Sequence, residues 1–136
     1  MLRQLRIENL VLARDVLLEF DDGLNLVTGE TGAGKSLVVG ALALVTGGRG
    51  ESSWVRHGAE RAAIEAIFDV SARPDVLERL TRAGYAAEDG ELLVRREIGA
   101  DGRSRAFLAG SSVTLSLLRD LTAGLIEAHG QHEPQV

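Results

Sequence analysis

The stretch LNLVTGETGAGKSLVVGALALV, residues 24–45, contains the only lysine of the chain, Lys35, among 15 lysine and arginine residues. Its first part, residues 24–28, is a short aliphatic run that is typical of a buried strand. A glycine-rich loop follows at once, and residues 37–45 then have the composition of a helix that ends at TGGRG. The order of strand, glycine-rich loop and helix indicates an α/β fold built around this loop.

The loop GETGAGKS matches the pattern GxxxxGK followed by serine or threonine, which is typical of P-loop proteins. Glycines let successive backbone N–H groups point into one concavity, and the next helix offers its positive N-terminal end to phosphate. The compact ammonium of Lys35 fits among β- and γ-phosphate oxygens, and the Ser36 hydroxyl is a ligand for Mg²⁺. The motif predicts a site for a nucleotide and Mg²⁺, since a turn that merely caps a helix would not need the single lysine. The predicted nucleotide-binding residues are Gly29, Glu30, Thr31, Gly32, Ala33, Gly34, Lys35 and Ser36.

The composition indicates one soluble domain, with 136 residues of which 45% are hydrophobic and 26% charged. A net charge of −5 argues against a whole surface built for nucleic acid, so any contact with DNA must be local. Because cysteine is absent, a disulfide framework and a zinc–thiolate site are excluded. The N-terminus lacks a secretory signal, and the longest apolar run is far shorter than the roughly 20 residues that cross a bilayer. We therefore expect a cytoplasmic protein without membrane contact.

Alternation of apolar and polar residues predicts two half-buried strands near the start of the chain, around Leu5 and Ile7 and in residues 16–20. A third predicted strand places four apolar residues on one face: Ile64, Ala66, Phe68 and Val70. Together these patterns predict a mainly antiparallel sheet that packs beside the P-loop helix. No repeat, low-complexity tract or proline-rich linker indicates an internal domain boundary.

Two further helices are predicted after the third strand. RPDVLERLTRAG predicts a helix with Pro74 in its first turn and Gly84 just after its end, and its core residues are Leu77 and Leu80. Ser112 is expected to cap the next helix, whose core residues are Leu115, Leu118 and Leu121. GLIEA, residues 124–128, then predicts a brief buried strand before the polar loop HGQHEPQV.

Residues 91–98 and 104–110 flank GADGR and predict a hairpin with the Asp101-Gly102 pair at its tip. Four arginines lie on this hairpin: Arg95, Arg96, Arg103 and Arg105. One interpretation has them contact phosphates of nucleotide or DNA, and Arg103 or Arg105 is then the best candidate. The other places them on a solvated face, paired with Glu91, Glu97 and Asp101.

A P-loop alone does not select a reaction, since kinases, GTPases and ATP-driven machines all contain one. The sequence lacks an aliphatic strand that ends in Asp-Glu, which would hold Mg²⁺ and activate water. Gln131 is the best remaining polar candidate for that task. The spacing of His129 and His132 is not that of a metal site, so we expect ordinary loop histidines. Trp54 is expected to cover the core rather than to meet a partner.

Three stretches carry a resemblance to a known family: LRIENLVLARDVLLEFDDGLNLVTGETGAGKS, DGRSRAFLAG and LIEAHGQHEPQ. They resemble the N-terminal head segment of the RecN family of bacterial DNA-repair proteins, over essentially the whole chain. That family belongs with the SMC and Rad50-like proteins, whose ABC-type ATPase head is split in sequence by a long antiparallel coiled coil. The resemblance implies that residues 1–136 are the N-terminal half of such a head, truncated near the start of the coiled-coil arm.

The resemblance also implies roles for particular residues. Residues 29–36 fall on the Walker A loop, and Gln131 falls on the Q-loop glutamine that contacts Mg²⁺ and the attacking water. Lys35 and Gln131 are then the candidate catalytic residues. Related heads carry an arginine-bearing loop in the region of the hairpin and bring side chains towards the nucleotide near Arg14. The Walker B and signature motifs belong to the second half, so the fragment alone is expected to be inactive or very weak.

The partners that the resemblance implies are the C-terminal half of the same head, a second copy of the protein, and DNA. In related heads ATP is sandwiched between the Walker A loop of one copy and the signature motif of another. ATP binding then drives head dimerisation, and hydrolysis releases the pair. The family is associated with DNA double-strand break repair, recombination and the tethering of DNA ends, which implies a nucleoid-associated location.

Two other classes of function stay open on the residues alone. A self-contained P-loop phosphotransferase, a small kinase, would use the same loop, but it also needs a lid with arginines and an acceptor pocket. A non-enzymatic module that binds DNA ends, in which the loop is only structural, is disfavoured by the negative net charge.

Overall fold

The computed structural model describes residues 1–11, 13–20 and 32–126, and it gives side chains in the last range from Ser36 onward. The predicted strand in residues 24–28, the loop residues 29–31 and Gln131 lie outside the described residues. None of the helices in the described ranges combines the length and apolarity that a bilayer crossing requires.

The described residues form a six-stranded sheet with the strand order β2-β1-β3-β4-β5-β6. Each pair of neighbouring strands is antiparallel, as the alternating sequence pattern predicted. The strands are β1 (Leu2–Leu10), β2 (Ala13–Glu19), β3 (Arg61–Asp69), β4 (Glu91–Gly99), β5 (Ser104–Leu108) and β6 (Ser111–Ser112).

The two faces of this sheet have opposite character. One face contributes fully buried side chains to the core, among them Leu5, Ile64, Phe68 and Val94. The helix α1 (Gly32–Val45) contacts β3 and β4, and its residues Ala41 and Val45 are wholly buried in the same hydrophobic cluster. A mainly antiparallel sheet therefore packs beside the P-loop helix, as predicted.

The opposite face carries charged side chains that pair within a strand and across neighbouring strands. Arg95 on β4 is at its centre, with Nη1 at 2.7 Å from the carboxylate of Glu65 on β3 and Nε at 2.9 Å from that of Glu97. Arg6 on β1 lies 3.1 Å from Glu8. These half-buried pairs fix the alternation of the strands, because a register slip of one residue would move every one of them into the core.

The helix α2 (Pro74–Ala83) has the predicted ends. Pro74 occupies its first turn, and Gly84 follows it with φ +89 while its N–H donates to the carbonyls of Leu80 and Thr81. Leu80 is buried as predicted, but Leu77 is only partly buried and the second wholly buried residue is Val76.

The helix α3 (Leu115–Thr122) corrects one sequence prediction. Thr114, not Ser112, is its N-cap, and the Thr114 Oγ1 accepts a hydrogen bond of 3.1 Å from the Leu117 N–H. Ser112 is unavailable as a cap because it pairs with Phe107 in the ladder between β5 and β6.

The predicted strand in residues 124–128 is wrong over its described part, residues 124–126. The chain turns there instead: the Leu125 N–H donates to the Thr122 carbonyl at 3.0 Å, and Gly124 has φ +87. Leu125 is nevertheless buried, so the apolar run packs against the core from a turn rather than from a strand.

Candidate functional site

The P-loop helix begins inside the sequence motif of residues 29–36. The helix α1 starts at Gly32, so Gly34, Lys35 and Ser36 lie in its first two turns. The first N–H groups of a helix have no partner within it, and the first turn here contains no acidic residue that would repel an anion. The backbone is therefore suited to phosphate, whereas the predicted residues Gly29, Glu30 and Thr31 lie outside the described residues.

Ser36 is exposed and lies at the edge of an apolar groove of about 250 Å³. The groove runs between α1 and the turn that joins β1 to β2, with Leu10 and Val11 on one side and Gly40 on the other. Trp54, in a short 3-10 helix (Ser52–Trp54), completes it and is 39% exposed. Trp54 is thus an aromatic surface beside the candidate Mg²⁺ ligand more than a cover for the core.

Arg95 and Arg96 of the hairpin point to opposite faces of the sheet. Burial alone would lower the pKa of the Arg95 guanidinium, but its hydrogen bonds to Glu97 and Glu65 outweigh burial and raise the pKa. Arg96 is wholly buried and lies between Ile64 and Ala106 on the core face. From the sequence, we expected the four arginines of residues 91–110 to share a solvated or phosphate-binding surface. That expectation is wrong for Arg96, since the strand period of two places it inside.

Arg103 and Arg105 are both exposed, and the structure brings them together beside an open pocket of about 380 Å³. The Arg103 Nε lies 3.7 Å from the Asp101 carboxylate, and both side chains are more than half exposed, so solvent screens this pair strongly. Arg105 forms no ion pair with any described residue.

Sequence reasoning missed a third arginine at this pocket. Arg61, the first residue of β3, lies opposite Gly99 in the register of β3 and β4 and lines the same pocket as Arg103 and Arg105. Three acidic residues also line it: Glu60, Glu97 and Asp101. Arg61 is remote from the hairpin in sequence, so only the strand pairing reveals it. We call Arg61, Arg103 and Arg105 the hairpin arginines.

The structure adds little about the remaining candidate site residues. His129 and His132 lie outside the described residues, together with Gln131. Within the ranges that are described, no group of three His, Cys, Asp or Glu side chains is placed to hold a metal ion. Arg14 is exposed at the start of β2.

The antiparallel sheet and the P-loop helix beside it define the class: this is the N-terminal lobe of a P-loop NTPase head of the ABC type, as found in SMC proteins. The chain belongs to the family described as AAA domain, whose profile matches residues 4–104. A solved structure described as "Structural biochemistry of ATP-driven dimerization and DNA stimulated activation of SMC ATPases" matches with a TM-score of 0.70 and 23% identity. That match covers 89% of this chain and 76% of the other, and it confirms the fold.

Relatives of known name confirm the resemblance seen in the sequence. The chain is 47% identical over 136 residues to "DNA repair protein RecN" of Xylella fastidiosa (strain Temecula1), a match that covers 99% of this chain and 24% of the relative. It is 37% identical to the protein of the same name from Bacillus subtilis (strain 168), with 100% and 24% covered. The chain therefore spans about a quarter of the length of these relatives.

Proposed function

We propose that this chain is the ATP-binding half of an SMC-like ATPase head that acts in DNA double-strand break repair and recombination. The observation that carries the proposal is the P-loop helix α1, which starts at Gly32 within the sequence motif and packs on β3 and β4 of an antiparallel lobe. The similarity to proteins named for DNA repair supports the biological setting. The same similarities to RecN and SMC proteins do not support the alternative, a small kinase.

The residues of the loop have different roles in binding ATP. Residues 29–36 surround the phosphates with backbone N–H groups, Lys35 supplies a point charge at the β- and γ-phosphates, and Ser36 supplies a hydroxyl for the metal. Exposure of Ser36 at the outer end of α1 fits that role. Gln131 orients the attacking water. Mg²⁺ held at Ser36 and Gln131 would supply charge neutralisation at the phosphate oxygens.

The head is completed by other polypeptide. The C-terminal half of the same head contributes the Walker B and signature motifs, and a second copy closes the site when ATP drives the heads together. The matching SMC structure is described in terms of ATP-driven dimerisation and DNA-stimulated activation, which favours the same cycle here.

DNA contacts this half through its hairpin arginines. Arg103 and Arg105 stand at an exposed edge with Arg61, and exposed guanidinium groups bind phosphate oxygens without reading sequence. The acidic residues in the same pocket limit the attraction, so we assign this surface a share of DNA binding rather than all of it. Because the proposed partner is DNA, we place this protein in the cytoplasm, at the nucleoid.

Measurement of ATP hydrolysis tests the proposal. Residues 1–136 alone, the presumed C-terminal head segment alone and their mixture are compared, each with and without linear DNA. Turnover should occur only in the mixture, and Lys35→Ala should remove it together with most ATP binding. Turnover by residues 1–136 alone, or phosphate transfer to a small acceptor, would instead indicate the phosphotransferase, and unchanged ATP binding by Lys35→Ala would contradict the site itself.

A further inference from the structure

Within the described ranges, Arg96 is the only charged residue whose side chain is wholly buried. Its Nη1 donates to the carbonyl oxygens of Leu44 at 2.6 Å and Gly48 at 2.7 Å. Its Nη2 and Nε donate to the Ser104 Oγ at 2.9 and 3.3 Å. The guanidinium thus joins the C-terminal end of α1 to the first residue of β5.

A buried guanidinium without a carboxylate needs another source of negative charge. No acidic side chain of the described residues pairs with Arg96. Helix α1 supplies the compensation, because the carbonyls of its last turn carry the negative end of the helix dipole. The Leu44 carbonyl accepts from Arg96 in addition to the Gly47 N–H. Burial, and secondarily the nearby Arg119, lowers the pKa of Arg96, although an arginine stays charged at neutral pH.

This contact lies at the opposite end of α1 from the P-loop. A helix of 14 residues is about 20 Å long and behaves as a stiff rod. When Arg96 fixes Leu44 and Gly48 relative to β4, it therefore also fixes the direction of the helix and the position of the N–H groups at its start. Arg119 of α3 holds the Gly47 carbonyl from the other side at 2.9 Å.

We propose that Arg96 is a positioning residue for the P-loop: it sets the axis of α1 from the far end, and Ser104 holds the guanidinium in the orientation that this requires. The inference rests on the proposed nucleotide site at the start of α1. Arg96 contacts neither nucleotide nor metal, so its effect passes through the helix.

The matched control is its neighbour Arg95. Arg95 lies on the same strand and donates two hydrogen bonds on the outer face, one to Glu65 and one to Glu97, but it does not reach α1. Loss of Arg95 therefore costs stability without touching the P-loop helix. Arg96→Met would remove the side-chain donor from the Leu44 and Gly48 carbonyls, and the Leu44 carbonyl would keep only its bond from the Gly47 N–H. The milder Arg96→Lys and Ser104→Ala keep the test open if Arg96→Met does not fold.

The test measures the affinity of the full-length protein for Mg-ATP, with a fluorescent ATP analogue, beside thermal unfolding of each variant. Arg96→Lys and Ser104→Ala should weaken binding by about tenfold, which is about 1.4 kcal/mol. Arg95→Met should lower the melting temperature and leave the affinity unchanged. Arg96 variants that lose melting temperature but bind ATP like the wild type would overturn the inference.

If the proposed nucleotide site is wrong, the result differs from a failure of the Arg96 inference, because wild type and Lys35→Ala would then bind ATP equally. In that case, amide hydrogen exchange of the nucleotide-free protein tests whether Arg96 fixes helix α1. Arg96→Lys should speed exchange along residues 36–48 more than Arg95→Met does, and equal exchange in both variants would overturn the inference.

Discussion

The guanidinium Nη1 of Arg119 donates a hydrogen bond of 2.9 Å to the carbonyl oxygen of Gly47, and this joins α3 to the turn that ends α1. Gly47 has φ +100, a backbone conformation that other residues rarely adopt. A Cβ at this position would also collide with the Cγ of Arg119. The close approach of the two helices therefore depends on a residue without a side chain.

Gly47→Ala should destabilise the fold more than an ordinary glycine replacement. Gly84→Ala is the matched control, because Gly84 has φ +89 but open space where a Cβ would stand. Backbone strain alone predicts a cost of about 1–2 kcal/mol at Gly84, and overpacking against Arg119 adds a further ~1–3 kcal/mol at Gly47. Urea unfolding of both variants measures the difference, and equal costs would mean that α3 simply moves away.

Thr114→Ala should destabilise α3 by about 1 kcal/mol, because the Oγ1 of Thr114 satisfies the Leu117 N–H at the start of the helix. Ser112→Ala should stay within about 0.5 kcal/mol, since Ser112 is exposed and its part in the sheet uses only backbone. Urea unfolding again gives both values. A larger loss for Ser112→Ala would restore Ser112 as the cap that the sequence pattern suggested.

Local rules explain how much of the fold is predictable. Pro74 and Gly84 mark the two ends of α2, and the Asp101-Gly102 pair marks the tip of the hairpin, where Gly102 has φ +89. Both predictions depend on residues that are neighbours in sequence. The cap of α3 was misplaced by two residues because Ser112 and Thr114 have the same capping chemistry, and only strand pairing shows that Ser112 is engaged elsewhere.

The candidate site was predictable only where its chemistry is local. The P-loop motif is contiguous, so it predicted the helix that follows and its end, but α1 begins at Gly32 inside the motif and not at Leu37 after it. Arg96 was misjudged by its charge, although alternation with Val94 and Ile98 already placed it on the buried face. Arg61 could not be found in advance, because its place beside Arg105 depends on the register of β3 with β4 and of β4 with β5.

Stability should fall in acid through Asp69. Hydrogen bonds from the Ser71 Oγ at 2.7 Å and the Ser71 N–H at 3.0 Å lower the pKa of the Asp69 carboxyl, and Arg3 at 3.7 Å acts in the same direction. A lowered pKa stabilises the folded state above the ordinary pKa, and this stabilisation is lost as pH falls through the lowered value. Asp69→Asn should therefore reduce the slope of unfolding free energy against pH below the ordinary carboxyl pKa of about 4. Ser71→Ala should reduce it in part, and an unchanged slope in both variants would contradict the assignment.

The hairpin arginines should contribute to DNA binding through charge alone. Each phosphate contact releases counterions, so loss of one contact lowers the steepness of log affinity against log salt by about 1. Arg103→Ala and Arg105→Ala should each show that change in the full-length protein with linear duplex DNA, and to the same extent for unrelated sequences. Arg61→Ala should follow them, since Arg61 lines the same pocket.

Arg82→Ala is the control for these variants. Arg82 is nearly as exposed as Arg103, with 72% of its side chain accessible against 80%. It lies on α2 and pairs with Glu78 at 2.8 Å. Arg82→Ala and Arg103→Ala each remove one positive charge. If only the net charge of the protein mattered, the two variants would lose the same DNA affinity. A salt dependence that falls for Arg103→Ala, Arg105→Ala and Arg61→Ala but not for Arg82→Ala locates the contact at the hairpin. If the salt dependence is unchanged in all four variants, DNA binds elsewhere, and the acidic residues Glu60, Glu97 and Asp101 then explain why this pocket does not attract it.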